Sequence, residues 1–202
     1  MNQHEENSPS YDSTFKIITA GDHGVGKTCF IGRFVEGRFG IFCTPRGPSF
    51  KSCDMKRGAG LYRLFLVDVC KVECRHDILT NSFFGVANGA LLMFDTTRLS
   101  SFVSIARYCN EWLKDAPVTR CYMLIGTKCD LVSERVVEAA EAETLAAKWG
   151  LKYMEVSAKD DVNITSAMDM LVDDLAEVAE KNRLVKEKVD KPLADAGKCI
   201  IS

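Results

Sequence analysis

The sequence predicts an α/β fold in which a mostly parallel six-stranded sheet carries helices on both faces. Short β-rich runs alternate with helical patterns along the chain, which is typical of strand–helix–strand units with right-handed crossovers. Two of the runs, 90–94 and 122–125, are almost wholly apolar, as strands buried on both faces are. The length of 202 residues suffices for one domain with a sizeable core.

Six strands are predicted in order along the chain. The second and third are joined around Gly58 and Gly60, which suit a tight connection between neighbouring strands. The six runs are 15–20, 50–55, 61–67, 90–94, 122–125 and 152–156.

Helical periodicity fills the intervals between the strands. A helix is predicted over 27–35, and a second follows from apolar residues spaced three and four apart over 102–113. A third covers 139–149, rich in Ala and Glu, and Gly150 is placed to end it. The last apolar stripe runs over 164–178.

Domain boundaries follow from where these patterns begin and end. Residues 1–13 are polar and are expected to form a flexible N-terminus, and residues 14–181 the folded domain. After about Lys181 the apolar stripe fades into Lys-rich sequence with Pro192 and Gly197. We therefore expect residues 182–202 to be a flexible tail.

Composition excludes several classes of protein. The chain has 26 basic and 28 acidic residues, a formal net charge of −2, so its surface as a whole does not attract nucleic acid. No apolar run approaches the ~18 residues that a membrane-spanning helix needs. The polar N-terminus lacks the apolar core of a secretory signal, and we expect none.

The nine cysteines favour reduced thiols over a disulfide framework. Their number is odd, and most lie inside apolar runs, where a free thiol packs as a small hydrophobe. Cys70, Cys74 and His76 suggest a metal site, but a second ligand pair is missing. Both interpretations of these three residues, metal ligands or incidental side chains, stay open.

The most informative motif is GDHGVGKT at residues 21–28, which fits G-x-x-x-x-G-K-[ST] between a predicted strand and a predicted helix. Glycines let backbone N–H groups wrap phosphates, and the helix N-terminus adds positive potential. Lys27 supplies a charge for the outer phosphates, and the Thr28 hydroxyl can bind Mg²⁺. The predicted phosphate-binding residues are Gly21, Asp22, His23, Gly24, Val25, Gly26, Lys27, Thr28 and Cys29.

Residues 21–34, GDHGVGKTCFIGRF, resemble the phosphate loop and first helix of Ras-superfamily small GTPases, and of the Rab branch in particular. The resemblance extends over about residues 15–180. It implies the P-loop NTPase fold, binding of GTP and GDP with Mg²⁺, a monomer, and effector and exchange-factor proteins as partners.

A second motif resembles the part of the family that reads guanine. In TKCD, Asp130 can accept two N–H groups of the guanine edge that adenine does not offer, and an unpaired buried carboxylate is penalised. The stem of Lys128 can cover the base while its ammonium stays in water. Thr127 replaces the commoner Asn. The residues that the resemblance assigns to the base are Phe39, Thr127, Lys128, Asp130, Ser157, Ala158 and Lys159.

The second switch departs from the family pattern. Asp68 is well placed to hold a magnesium-bound water, but Lys71 stands at the usual Gly position and Val72 at the usual Gln position. That Gln orients the attacking water, and Val72 cannot make such a hydrogen bond. His23 fills a position that is usually small, near the place of that water.

The first switch departs as well. Aligning Gly47 with the Rab pattern puts Pro45 at the position of the Mg²⁺-binding Thr, and Thr44 is one residue away. Only a readjusted loop would bring Thr44 to the metal, so it is the weakest of the metal candidates Thr28, Asp68 and Thr44.

Two functional hypotheses follow: a switch that hydrolyses GTP slowly, or a nucleotide-binding scaffold that scarcely hydrolyses it. Two further classes are a small-molecule kinase and an interaction module without nucleotide. No Arg-rich lid supports a kinase, and the retained Lys27, Thr28, Asp68 and Asp130 argue against a module without nucleotide.

The C-terminus suggests a lipid anchor. The last four residues fit C-a-a-X with Ser last, which indicates a prenyl group, farnesyl by the usual rule, on Cys199. One lipid chain binds membranes only marginally, and residues 181–198 add a modest positive charge. We expect reversible attachment to the cytoplasmic face of intracellular membranes, in exchange with the cytosol. Most Rabs carry two such cysteines.

Overall fold

The computed structural model of the chain describes residues 9–40, 49–69, 85–114, 117 and 119–190. Several predicted residues lie outside these ranges, and what was predicted for them stays a prediction. They are Thr44, Cys70, Lys71, Val72, Cys74, His76 and Cys199.

Six strands, four longer helices and one short 3₁₀ helix alternate along the described chain. In order they are β1 (Ser13–Ala20), α1 (Lys27–Glu36), β2 (Ser49–Arg57), β3 (Gly60–Asp68), β4 (Gly89–Asp95), α2 (Leu99–Trp112), β5 (Cys121–Thr127), the 3₁₀ helix Val132–Glu134, α3 (Ala139–Lys148), β6 (Lys152–Val156) and α4 (Ile164–Asp190).

The strands form one sheet in the order β2-β3-β1-β4-β5-β6. Only β2 and β3 pair antiparallel, through the turn at Gly58, and all other neighbours are parallel. The predicted six-stranded, mostly parallel sheet is therefore confirmed.

Alternating residues of the strands build two cores, one on each face of the sheet. Ile17 faces the core that α1 and α4 complete, and Ile18 faces the core that α2 and α3 complete. Because β4 lies between both cores, all seven of its residues are buried. Each fully buried aliphatic side chain contributes roughly 1.5–3 kcal/mol, so these two layers hold the sheet in place.

This topology places the candidate site. The five parallel strands end at the same edge of the sheet, where ligand sites of open α/β sheets form. Asp68, Asp95 and Thr127 are the last residues of β3, β4 and β5, and Ser157 directly follows β6. The phosphate loop fills the gap between β1 and α1 at that same edge.

The last helix differs from the prediction in its length. α4 continues to Asp190, beyond the point near Lys181 where the apolar stripe fades. Residues 181–187 of this helix are exposed. Ion pairs run along it, from Lys181 to Glu177 at 2.6 Å and from Arg183 to both Glu180 and Glu187 at 2.6 and 2.9 Å. A helix supported by such pairs needs no apolar face, so periodicity alone misses it.

The described cysteines behave as packed thiols. Cys29, Cys53, Cys109, Cys121 and Cys129 are free, and burial raises the pKa of Cys109 to about 11. Within the described part of the chain, no three or more His, Cys, Asp and Glu side chains lie together as a group that could hold a metal ion among themselves. Among the helices of the described residues, none is long and apolar enough to cross a membrane.

A buried and an exposed leucine on α4 give a matched test of the core. Leu171 is fully buried between α4 and the sheet, whereas Leu184 on the same helix is exposed. Leu171→Ala should lower the free energy of unfolding by about 2–5 kcal/mol because a cavity remains, and Leu184→Ala by less than about 0.5 kcal/mol. Urea unfolding followed by circular dichroism measures both, and equal losses would contradict this packing.

Candidate functional site

Glycines set the path of the phosphate loop. Gly21, Gly24 and Gly26 have φ angles of 142°, 78° and 99°, which side-chain-bearing residues rarely adopt. A Cβ atom on Gly21 would lie 2.1 Å from the carbonyl oxygen of Met93 on β4. The loop therefore passes so close to the sheet that only glycine fits at its first position.

Lys27 lies inside this loop. Its side chain is buried, with 5% of the residue exposed, and Nζ donates hydrogen bonds to the carbonyl oxygens of Gly21 at 2.7 Å and Asp22 at 2.8 Å. The loop is thereby closed around a positive charge at the N-terminus of α1. This arrangement supplies the cation and the helix end that an anionic group needs.

Asp68 and Thr28 meet beside the loop. Asp68 is 2% exposed and accepts a hydrogen bond from Thr28. Burial raises the pKa of Asp68, against the opposing effects of Thr28 and Lys27. Its Oδ1 is buried with no hydrogen-bond partner among the described residues. A buried carboxylate oxygen without a donor is costly, and a hydrated cation would satisfy it, so these residues fit Mg²⁺.

Thr127 ties the phosphate loop to the sheet. Its hydroxyl Oγ1 lies 2.6 Å from the carbonyl oxygen of Val25 and 2.8 Å from that of Phe94. The side chain therefore connects the loop, β4 and β5 at a buried point. The Thr127 hydroxyl has one proton for these two carbonyl oxygens, so they share it.

Lys128 forms an ion pair with a buried carboxylate. Its Nζ lies 2.5 Å from Oδ2 of Asp95, and 37% of the Lys128 side chain is exposed. Burial raises the pKa of Asp95, yet hydrogen bonds from Lys128 and Thr97 outweigh it and bring that pKa below its usual value. With φ at 63°, the backbone of Lys128 is held in the left-handed region, and the ion pair fixes where its stem runs.

Asp130 is held by the loop that follows β6. The Ser157 hydroxyl donates to Asp130 Oδ1 at 2.7 Å and itself accepts from the backbone N–H of Asp160 at 3.0 Å. The Lys159 ammonium lies 3.8 Å from Asp130 Oδ2. Although only 8% of its side chain is exposed, this carboxylate is oriented and has lone pairs left for further donors.

Arg33 fastens the loop containing Ala158 and Lys159 to α1. Its Nε donates to the carbonyl oxygen of Ala158 at 2.8 Å, and one Nη donates to that of Lys159 at 3.1 Å. The other Nη donates to Gly37 at the end of α1, also at 2.8 Å. One side chain thus connects two segments that are far apart in sequence.

The start of the phosphate loop is fixed from α2. Asp22 accepts hydrogen bonds from Tyr108 Oη at 2.6 Å and from Ser104 Oγ at 2.9 Å. Arg98, just before α2, donates to the carbonyl oxygen of His23 at 2.7 Å. His23 and Gly24 are themselves exposed.

Phe39 lies in the short stretch after α1 and is 48% exposed. The next residue, Gly40, approaches Cys29, whose Sγ lies 4.0 Å from the Gly40 carbonyl oxygen. The stretch therefore passes near the first turn of α1. Burial raises the pKa of the Cys29 thiol, which favours an inert side chain there.

Five residues that hold the site are not evident from the sequence: Arg33, Asp95, Arg98, Ser104 and Tyr108. Each acts through a contact with a segment remote in sequence, and their local sequence shows only ordinary helix or strand-end residues. Asp95 had the clearest available signal, since it ends an apolar strand as Asp68 does.

Three features lie along one edge of the sheet: the glycine-rich loop around the buried Lys27, the buried Asp68 with its unpartnered Oδ1, and the oriented Asp130. Fold and site together define a P-loop α/β protein. Comparison with known sequences gives the family. The chain belongs to the Ras family, whose sequence profile matches residues 16–177. It is a Rab-like small GTPase of the Ras superfamily.

Several curated relatives carry Rab names. The chain is 36% identical over 162 residues to "Ras-related protein Rab-37" of Homo sapiens, covering 79% of this chain and 72% of the relative. It is 33% identical over 187 residues to "Ras-related protein Rab-39A" of Homo sapiens, covering 84% and 81%. It is 34% identical over 185 residues to "Ras-related protein Rab-8A" of Gallus gallus, covering 91% and 84%.

Proposed function

We propose that this chain is a guanine-nucleotide-dependent molecular switch that binds GTP or GDP with Mg²⁺, hydrolyses GTP slowly and regulates vesicle traffic through effector proteins. The observation that carries the proposal is the single sheet edge at which the loop around Lys27, the Asp68–Thr28 pair and Asp130 come together. Membership of the Ras family supports the same function.

The phosphate loop is proposed to hold the nucleotide phosphates through residues 21–29. The buried ammonium of Lys27 lies at the N-terminus of α1, where both charge and backbone N–H groups attract an anion. When present, Mg²⁺ would neutralise phosphate charge there. Thr28 would bind it directly and Asp68 through a water, whereas the part of Thr44 stays a prediction.

Asp130 is proposed to select guanine. Ser157 holds one of its oxygens, so the carboxylate is oriented before the base arrives. Guanine offers two N–H groups on one edge, and adenine would leave the buried carboxylate unsatisfied. Lys128, fixed by Asp95, and the exposed Phe39 are proposed to cover the faces of the base, while the loop at Ala158 and Lys159 lines its edge.

A second candidate is a nucleotide-binding scaffold that scarcely hydrolyses GTP. Val72, at the position of the water-orienting Gln, favours it, and so does Lys71 at the preceding Gly position. Both candidates share the binding site and differ only in turnover. A small-molecule kinase is disfavoured, because the Ras family profile covers both the phosphate loop and TKCD.

The tail is proposed to anchor the protein reversibly. A prenyl group on Cys199, aided by the modest basic charge of residues 181–198, would place the protein on the cytoplasmic face of intracellular membranes. Residues 14–181 are proposed as the nucleotide-binding domain, working as a monomer with effector and exchange-factor proteins.

Nucleotide selectivity tests the proposed function directly. With Mg²⁺ present, the protein should bind fluorescent GDP and GTP at least about 10⁴-fold more tightly than the adenine nucleotides, because only guanine satisfies Asp130. Asp130→Asn should remove most of this preference, and Asp174→Asn, an acidic residue on the outside of α4, serves as the control. Equal binding of GTP and ATP by the unaltered protein would refute the proposal.

The single-turnover rate of GTP hydrolysis separates the two candidates, because a slow switch turns GTP over measurably and the scaffold scarcely does. Small GTPases with an intact Gln turn over at about 10⁻⁴ to 10⁻³ per second unaided, and we expect a lower single-turnover rate here. Val72→Gln should raise the rate, because the side chain can then orient water, and Val72→Leu should not. An ordinary rate in the unaltered protein would show that another group positions the water.

Localisation tests the lipid anchor. Cys199→Ser should shift a fluorescent fusion from intracellular membranes to the cytosol in eukaryotic cells, because the thioether bond to the prenyl group cannot form. Cys129→Ser, a half-buried thiol in the domain, is the matched control. Unchanged localisation of the Cys199 variant would exclude this anchor.

A further inference from the structure

We propose that four residues, Asp22, Arg98, Ser104 and Tyr108, form a latch that fixes the phosphate loop to α2 and thereby sets its affinity for the β-phosphate. This inference rests on the proposed function, since it concerns how the loop binds phosphates. We call these four residues the α2 latch.

The α2 latch begins at a rigid helix start. The backbone N–H of Arg98 donates to the carbonyl oxygen of Asp95 at 3.0 Å, and Ser101 Oγ donates to the carbonyl oxygen of Arg98 at 2.7 Å. Ser101 is fully buried. The Cα of Arg98 therefore has a fixed position relative to β4, and its side chain extends from there to the loop.

Arg98 holds the most exposed part of the phosphate loop. Its Nη2 donates to the carbonyl oxygen of His23 at 2.7 Å, and its Nη1 lies 3.6 Å from the place that a Cβ on Gly24 would occupy. A carbonyl oxygen held on the outside of a loop fixes the orientation of its peptide plane. The N–H of Gly24 belongs to that same peptide plane.

Arg98 also carries a cost that a purely structural side chain would avoid. Its Nε is buried without a hydrogen-bond partner among the described residues. Burying a donor without an acceptor is unfavourable. A guanidinium kept at this place despite that cost suits a loop that has to hold negative charge, because it adds positive potential beside Gly24.

Two hydroxyl groups of α2 complete the latch. Ser104 and Tyr108 are four residues apart and so lie on one helix face, and they donate to the two carboxylate oxygens of Asp22 at 2.9 and 2.6 Å. Tyr108 is further fixed by stacking on Trp112, with ring centroids 4.8 Å apart. Asp22 and His23 are thus both held by residues at α2, whereas Thr127 holds the loop at Val25.

A loop that is held at Asp22, His23 and Val25 is already ordered when the phosphates arrive. Affinity for groups that contact the loop should therefore depend on the latch, whereas affinity for the base and ribose should not. GDP and GMP differ only in the β-phosphate, so the ratio of their affinities measures what holds that group, the loop and Mg²⁺, and the latch variants leave Thr28 and Asp68 unchanged. A general loss of folding would lower both affinities and leave that ratio unchanged.

The experiment measures dissociation constants of GDP and GMP for the full-length protein with Mg²⁺ present. Tyr108→Phe keeps the stacked ring and removes only the hydroxyl, and Arg98→Lys keeps the charge and removes the planar fork. Arg98→Ala removes both. Arg183→Ala removes an equal charge from the exposed end of α4 and is the matched control.

The hydrogen bonds of Tyr108 and Arg98 both have one ionised partner, the Asp22 carboxylate or the Arg98 guanidinium. Tyr108→Phe should weaken GDP binding about fivefold, because Ser104 still donates to Asp22, and Arg98→Ala about tenfold or more. GMP binding should change by less than twofold, and Arg98→Lys should recover part of the loss. Thermal melts of the nucleotide-free variants show that they are folded. The control variant should match the unaltered protein.

Equal losses for GDP and GMP, or unchanged GDP binding in both Tyr108→Phe and Arg98→Ala, would overturn the latch. These outcomes are distinct from failure of the proposed function. If the proposed function is wrong, the unaltered protein itself will not prefer GDP to ADP, and the latch proposal is then refuted as well.

Discussion

Burial of the central strands on both faces is the constraint on which the rest of this structure depends. A strand such as β4, with every residue buried, leaves polar side chains no place except its ends. Asp68, Asp95 and Thr127 accordingly lie where β3, β4 and β5 stop. Because those strands are parallel, the three polar groups come to one edge, and the chemistry of the molecule is concentrated there.

The loops at this edge have little regular structure, and side chains from neighbouring elements hold them. Lys27 closes the phosphate loop from within, Thr127 fixes it to the sheet, and Arg98 fixes it to α2. Arg33 does the same for the loop after β6. Most of these bonds end on backbone carbonyl oxygens, so they fix the path of the loop and leave N–H groups for a ligand.

The proposed nucleotide site combines residues that suit nucleotide binding with altered switch sequences. Retention of Lys27, Asp68 and Asp130 suits strong nucleotide binding, whereas Val72 suits slow turnover. A binding protein whose bound state persists is controlled mainly by exchange and by partners. Membership of the Ras family is compatible with both of the proposed candidates.

The sequence by itself determined the α/β class, the number of strands and the phosphate loop, because these depend on local periodicity and on residues adjacent in the chain. Through the resemblance to the family, it also predicted that TKCD and residues 157–159 act together. Only the tertiary structure decided that the Lys128 ammonium pairs with Asp95, that α4 reaches Asp190, and that Arg33, Arg98 and Tyr108 hold the loops. The side-chain contacts join segments that are distant in sequence, and the end of α4 is a solvent-exposed stretch of helix. Neither leaves a mark on the hydrophobic pattern of the chain.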